Sequence, residues 1–197
     1  DVGQVEYYAY DDFLAAKKIA STDVSIVIPR RNWTTGTVYD YYRHDYGDIN
    51  TAGSTIATDS GATSLYDATF YVMNSTFDVY KVIENAGATA STVEPTSTSN
   101  SIFETSDGYR WKYMYSLTSA ETLNFMSTDF IHVSTDSTVS AAAVDGALDT
   151  ILVVAGGSSF NTSSGSTISA IPIRGDGTGG IASVTISSGA ITAATVT

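Results

Sequence analysis

The stretch from Asp107 to Leu117 (Asp107, Gly108, Tyr109, Arg110, Trp111, Lys112, Tyr113, Met114, Tyr115, Ser116, Leu117) constrains this chain more than any other. Asp-Gly opens it as a turn, because glycine takes positive φ without steric cost. The alternation that follows predicts a strand, with Trp111, Tyr113, Tyr115 and Leu117 on one face and Lys112, Met114 and Ser116 on the other. Each large aromatic side chain has about 150–250 Å² to bury. A face that carries three of them needs a wall to pack on, so other segments must supply strands. The mixed face is left for solvent or a partner chain.

Those strands are legible. Val24 to Ile28 reads as one, ended at Pro29, which lacks the N–H that a ladder requires. The runs Leu65 to Met73 and Phe77 to Ile83 flank Asn74, Ser75 and Thr76 and read as a hairpin. Phe130 to Val133 is a further strand. Two short helices are expected. Asp11 to Ile19 has its acids first and its lysines last, as the helix dipole prefers. Thr118-Ser119-Ala120-Glu121 is a capping box that starts a helix running through Leu123, Phe125 and Met126. Residues 47–63 and 85–106 read as polar loops. After Ser134 the aromatics nearly vanish, Phe160 being the one that remains. Three short strand patterns follow, Ile168 to Ile173, Ile181 to Ile186 and Ile191 to Val196, separated by glycine turns.

The expected fold is mainly β: an antiparallel β-sandwich with two short helices and long polar loops over residues 1–136, then a small β-module over residues 137–197. The chain opens without methionine and stops inside a strand pattern, so a piece of a longer protein is expected, with the module incomplete at its C-terminal end.

Charge and composition narrow the function. A formal net charge of -12 with only 9 Lys and Arg argues against nucleic-acid binding, which needs a basic stripe. The absence of cysteine excludes disulfides, thiolate chemistry and zinc–thiolate sites. No apolar run approaches the ~18 residues that span a bilayer, so no membrane insertion is expected. His44 beside Asp45 invites a metal or general-base role, but His132 is far away in sequence, so no metal site is expected. The segment Gly175 to Gly180 lacks the lysine and the following helix of a phosphate loop, and one Asp is too few for calcium. None of the 21 acids stands out as half of a glycosidase pair. The chain reads as no enzyme, with no catalytic residue and no cofactor.

Arg30 and Arg31 are the densest positive charge, and Trp33 follows them. One reading makes them a strand end, with an arginine paired to a nearby Asp and Trp33 in the core. The other makes Arg30, Arg31 and Trp33 an interface anchor, since Arg and Trp are enriched at hot spots. Tyr39, Tyr41, Tyr42 and Tyr46 are either a partly buried aromatic patch or a platform for stacking on sugars.

Residues 23–33 (DVSIVIPRRNW), 77–82 (FDVYKV) and 107–115 (DGYRWKYMY) resemble, in order and approximate spacing, a baseplate wedge subunit. It is the gene-eight-type subunit of T-even-like contractile-tailed bacteriophages, especially of their cyanophage and marine relatives. The Leu-Ala-Ala-Lys-Lys segment ahead of the first motif fits as well, and the resemblance spans roughly residues 8–133. It implies a virion structural protein rich in β-sandwich, without a cofactor. It also implies a homodimer within each wedge, in contact with other wedge subunits. Such a subunit is assembled in the host cytoplasm and acts in tail assembly and the triggering of contraction. Residues 151–197 separately resemble the Gly-Gly-Ser-Gly-Tyr-type β-repeat of phage tail and fibre proteins, with Gly156-Gly157-Ser158-Ser159-Phe160 in place of that motif. The family does not lead one to expect that module here, so it reads as an insertion. The alternative function is a carbohydrate- or receptor-binding tail module.

Overall fold

Asn74 closes the hairpin that the sequence predicts. Strands β2 (Tyr71–Met73) and β3 (Asp78–Asn85) pair antiparallel, with Val72 opposite Tyr80. Between them the Asn74 Oδ1 accepts from the amides of Thr76 at 3.0 Å and Asp78 at 2.8 Å, and Phe77 takes a φ of 65°. These contacts belong to a computed structural model, which describes residue 15 and residues 18–48, 56–153, 155–160, 165–175 and 177–197. The Tyr-rich opening and nearly all of the expected Asp11 to Ile19 helix lie outside the described residues. Among the described residues the fold is mainly β, in antiparallel sheets with two α-helices. The chain divides into two compact units, Asp1–Thr135 and Asp136–Thr197.

In the first unit β5 (Tyr109–Ser116) pairs with β3, and the short β4 (Phe103–Glu104) pairs with β5, giving the order β2-β3-β5-β4. Gly108 supplies the turn before β5, with a φ of 86°. Strand β1 (Val27–Pro29) pairs antiparallel with β6 (Phe130–His132), Ile28 facing Ile131. Beyond Pro29 the chain crosses from one sheet to the other. The Met73 amide donates to the Arg31 carbonyl at 2.7 Å, and the Trp33 amide donates to the Met73 carbonyl at 2.8 Å. Asn32 thereby bridges Met73 in parallel, and one run of chain serves two sheets.

Two cores form, on opposite faces of the four-stranded sheet. One gathers Tyr39, Val72, Tyr80, Val82, Tyr109 and Trp111, with Trp33, Phe103 and Tyr113 packed against it. The other gathers Tyr71, Met73, Val79, Leu117 and Ile131, with Ile28, Tyr115 and Met126 packed against it. Val72 sits between Tyr71 and Met73, and successive strand residues point to opposite faces.

The expected single face for Trp111, Tyr113, Tyr115 and Leu117 is therefore divided. Val79 pairs with Tyr115 and Tyr80 with Tyr113, which leaves Met114 as an extra residue on β5. A one-residue bulge reverses the alternation beyond it. Trp111 and Tyr113 serve the first core, Tyr115 and Leu117 the second. Met114 itself is 49% exposed. A second bulge leaves Ile83 extra on β3 and turns Asn85 inward. The Asn85 Nδ2 donates to the Tyr39 carbonyl at 2.9 Å and to Asp59 Oδ2 at 2.6 Å. Trp111 is wholly buried, stacked 5.3 Å from Tyr109, and its Nε1 donates to Thr105 Oγ1 at 3.1 Å.

Two carboxylates anchor the long loops. Asp40, fully buried, accepts from the amide and hydroxyl of Ser60 at 2.7 and 2.6 Å and from those of Thr69 at 2.7 and 3.1 Å. Asp107 accepts from Ser91 Oγ, the amides of Thr92 and Val93, and Thr105 Oγ1. Burial alone would raise the Asp107 pKa, but these hydrogen bonds outweigh it and hold the carboxyl below its ordinary value.

In the second unit Asp136 caps the Ser137–Ala142 helix, accepting from the amides of Thr138 and Val139. Strands β7 (Ser166–Pro172), β8 (Ile181–Ser187) and β9 (Ala190–Val196) form an antiparallel sheet in that order. Ser188 and Gly189 join β8 to β9 with φ of 53° and 75°, as a two-residue hairpin turn of type I′ requires. Ala182 and Ile186 are its buried apolar residues among those described.

Four variants have expected outcomes in denaturant unfolding of the first unit. Trp111→Ala costs about 3–5 kcal/mol. Met114→Ala stays within about 1 kcal/mol, and deletion of Met114 is far less damaging than Trp111→Ala, because it turns the bulge into a regular ladder in which Tyr113 and Tyr115 still face opposite cores. Asp107→Asn costs about 1–3 kcal/mol at neutral pH. Because the folded carboxyl titrates below its unfolded value, Asp107 contributes its stability above about pH 4 and loses it as pH falls further. The mutant's acid unfolding limb is correspondingly shallower, which a pH series of urea melts measures.

Candidate functional site

The capping box at Thr118 does more than start a helix. In the Ser119–Phe125 helix, Glu121 reaches back so that its Oε2 accepts from the Thr118 amide and hydroxyl, both at 2.8 Å. This leaves Oε1 pointing at His132 Nε2, 3.1 Å away on β6. Phe125 lies four residues beyond Glu121, on the same helix face. Its ring stacks on the imidazole at 5.4 Å with an interplanar angle of 26°. On the other side of the ring, His132 Nδ1 meets the hydroxyl of Ser25, in the segment leading into β1. The Val133 amide donates to the Ile26 carbonyl at 2.9 Å, and the Tyr115 hydroxyl donates to the His132 carbonyl at 2.9 Å. The imidazole is thus held on several sides, with its side chain 16% exposed.

The Thr118 amide is the main cause of a lowered Glu121 pKa, helped by the Thr118 hydroxyl and the His132 ring against the opposing cost of burial. An ionised carboxylate only accepts hydrogen bonds, so Nε2 carries a hydrogen. In the neutral ring the lone pair is then on Nδ1, facing the Ser25 hydroxyl, whose single hydrogen has a second acceptor in the Ile26 carbonyl at 3.0 Å. The arrangement of hydroxyl, imidazole and carboxylate is one that can move a proton from serine to histidine.

In the sequence His132 stands only as a distant partner for His44. The Glu121 cap is legible there, but Ser25 and His132 are 107 positions apart, and no spacing rule joins them. His44 is exposed in a turn, and the neighbouring Asp45 is held by Arg43 through bonds of 2.8 and 2.7 Å. That guanidinium lowers the Asp45 pKa to about 2. Among the described residues no group of three or more His, Cys, Asp or Glu is placed to hold a metal ion.

Arg30, Arg31 and Trp33 lie on the run that crosses between sheets. Arg30 donates to Asn32 Oδ1 and the Ser127 carbonyl, both at 3.0 Å. Arg31 donates to the carbonyls of Tyr66 at 2.7 Å and Asp67 at 2.9 Å, and its guanidinium sits 5.2 Å over the Tyr71 ring. Trp33 packs on the first core, and its Nε1 donates to Ser91 Oγ at 3.0 Å. Of the tyrosine cluster, Tyr39 and Tyr46 are buried and Tyr41 half-buried, while Tyr42 is 40% exposed with Lys81 Nζ 3.6 Å from its ring centroid. In the second unit a groove of ≈ 400 Å³ runs between Gly175, Gly177, Gly179 and Gly180 on one side and Leu148, Ile173, Ile181 and Val196 on the other.

Arg31→Lys tests the strand crossing. One ammonium cannot reproduce a planar fork that spans two carbonyls and lies on a ring. The expected cost is about 1–3 kcal/mol in urea unfolding.

No family model, no curated protein and no solved structure matches this chain.

Proposed function

We propose that this chain is a structural component of a contractile-tail baseplate wedge, working as a homodimer that contacts other wedge subunits in the virion. On this reading the first unit is a β-sandwich, the β1–β6 ribbon lying over one core of the four-stranded sheet. The second unit is a Gly-rich β-repeat module inserted into the family's plan. The observation that carries the reading is a convergence. The three motifs that resemble the wedge subunit come from distant parts of the sequence, yet they fold into one connected framework. Residues 23–33 supply β1 and the crossing run, residues 77–82 lie in the turn and β3, and residues 107–115 form the turn and most of β5. Meeting at a single pair of cores is what motifs of one shared framework would do.

The exposed apolar side chains fit a protein that works by surface contact. Val24, Ile26, Val27 and Phe130 stand exposed on or beside the β1–β6 ribbon. Covering such surface is what an assembly interface does. Arg30, at the end of that ribbon, is the polar residue of the three sequence candidates that suits its rim.

Light scattering on the 20.7 kDa chain tests the dimer, with a mass twice that of the monomer as the expected result and Ile26→Asp shifting it toward monomer. A monomer at high concentration removes the dimer from the proposal. Immunogold labelling of virions with an antibody to this chain tests the location. Gold at the tail tip is expected, and virions that lack the chain would overturn the reading.

A further inference from the structure

We propose that Ser25 is an activated hydroxyl that accepts an acyl group from uncharged esters, with His132 as its general base and Glu121 as the residue that positions the imidazole. This goes beyond the assembly reading and fails or succeeds separately from it. Three observations carry it. The hydroxyl of Ser25 meets His132 Nδ1 directly. The carboxylate of Glu121, 3.1 Å from Nε2, fixes the ring tautomer that leaves Nδ1 able to accept a proton. The ring cannot swing freely, because Phe125 stacks on it and Glu121 is itself held by both donors of Thr118. A nucleophile, a base within hydrogen-bond reach and a third group orienting the base are the elements that activate serine in general. Here the ring nitrogens are used in the reverse sense from the best-known proteases, with Nδ1 toward the serine. Either nitrogen can serve as the base.

The substrate class follows from the surroundings. In the extended lead-in segment the side chains of Val24 and Ile26, 60% and 64% exposed, point to the face opposite Ser25, whose hydroxyl is half-buried against the imidazole that Phe125 stacks on. An ester with a short apolar acyl chain or an aryl leaving group suits a site walled by that ring better than a charged one does. The half-buried hydroxyl favours slow acylation over rapid turnover.

In the first step the Oγ proton passes to Nδ1 while Oγ bonds to the acyl carbon. The ester C–O bond then breaks, and the leaving alcohol takes the proton from Nδ1. Water completes the cycle. It loses a proton to Nδ1, its oxygen bonds to the acyl carbon, the Oγ–C bond breaks, and Oγ regains the proton from Nδ1. The free acid is released and no other reactant is needed.

The test treats the intact chain with a fluorophosphonate probe and with p-nitrophenyl acetate at pH 8, and locates the adduct by peptide mass spectrometry. The expected result is one adduct, on Ser25, lost in Ser25→Ala. His132→Gln should slow labelling by about 10²–10⁴-fold, the usual contribution of a general base, with circular dichroism verifying the fold. Glu121→Gln should move the pH profile of labelling, which a purely structural Glu121 would leave in place. Failure of the native chain to label overturns the proposal without any variant. Label that persists in Ser25→Ala, or a rate unchanged in His132→Gln, overturns it as well. An unmoved pH profile in Glu121→Gln removes the positioning role.

Discussion

The pairing of β3 with β5 bears both cores of the first unit, and the extra residue at Met114 decides which side chain serves which. On one side of the bulge the strand offers Tyr109, Trp111 and Tyr113 to the core around Tyr39 and Tyr80. On the other side it offers Tyr115 and Leu117 to the core around Tyr71 and Ile131. Residues two apart on one strand can serve cores on opposite faces only if the alternation changes phase between them, and a bulge changes it by one residue. The crossing run after Pro29 solves the matching problem at the sheet edge. It carries the chain from the β1–β6 ribbon on one face to the edge of β2, where Asn32 bridges Met73.

A chain without cysteine must fix its long connections by other means. Here carboxylates do so. Asp40 gathers the donors of Ser60 and Thr69, and Asp107 gathers those of Ser91, Thr92, Val93 and Thr105. Each acid is short enough to sit at a turn and has lone pairs for several amides and hydroxyls. The same acids that give the chain its charge of -12 thus order the loops. Ionised carboxylates hold such donors more strongly than neutral acids do, so this way of fixing loops is tied to pH.

The Ser25, His132 and Glu121 contacts have the same logic at a smaller scale. Three short elements meet, and each is fixed by something local: the helix by its capping box, β6 by its pairing with β1, and Ser25 by its place just ahead of that strand. Nothing further is required to align a hydroxyl, an imidazole and a carboxylate. Whatever the site does chemically, it also joins helix, strand and lead-in segment.

Local chemistry was enough to mark the hairpin at Asn74, the cap at Thr118, the turns at Gly108 and Gly189 and the strand character of residues 109–117. Each depends on the steric freedom of one residue or on hydrogen bonds within a few positions. The resemblance motifs were likewise visible as strings. What the sequence could not settle was phase and proximity. A bulge conserves every residue and merely shifts the register, so the division of the aromatic strand between two cores is invisible to any count of alternation. The same holds for Arg31, whose guanidinium finds the carbonyls of Tyr66 and Asp67, and for Ser25, which finds His132. Those meetings are set by how β1, β2 and β6 lie against one another. That arrangement is a property of the packed chain, because long-range contacts form only when the sheets close on their cores.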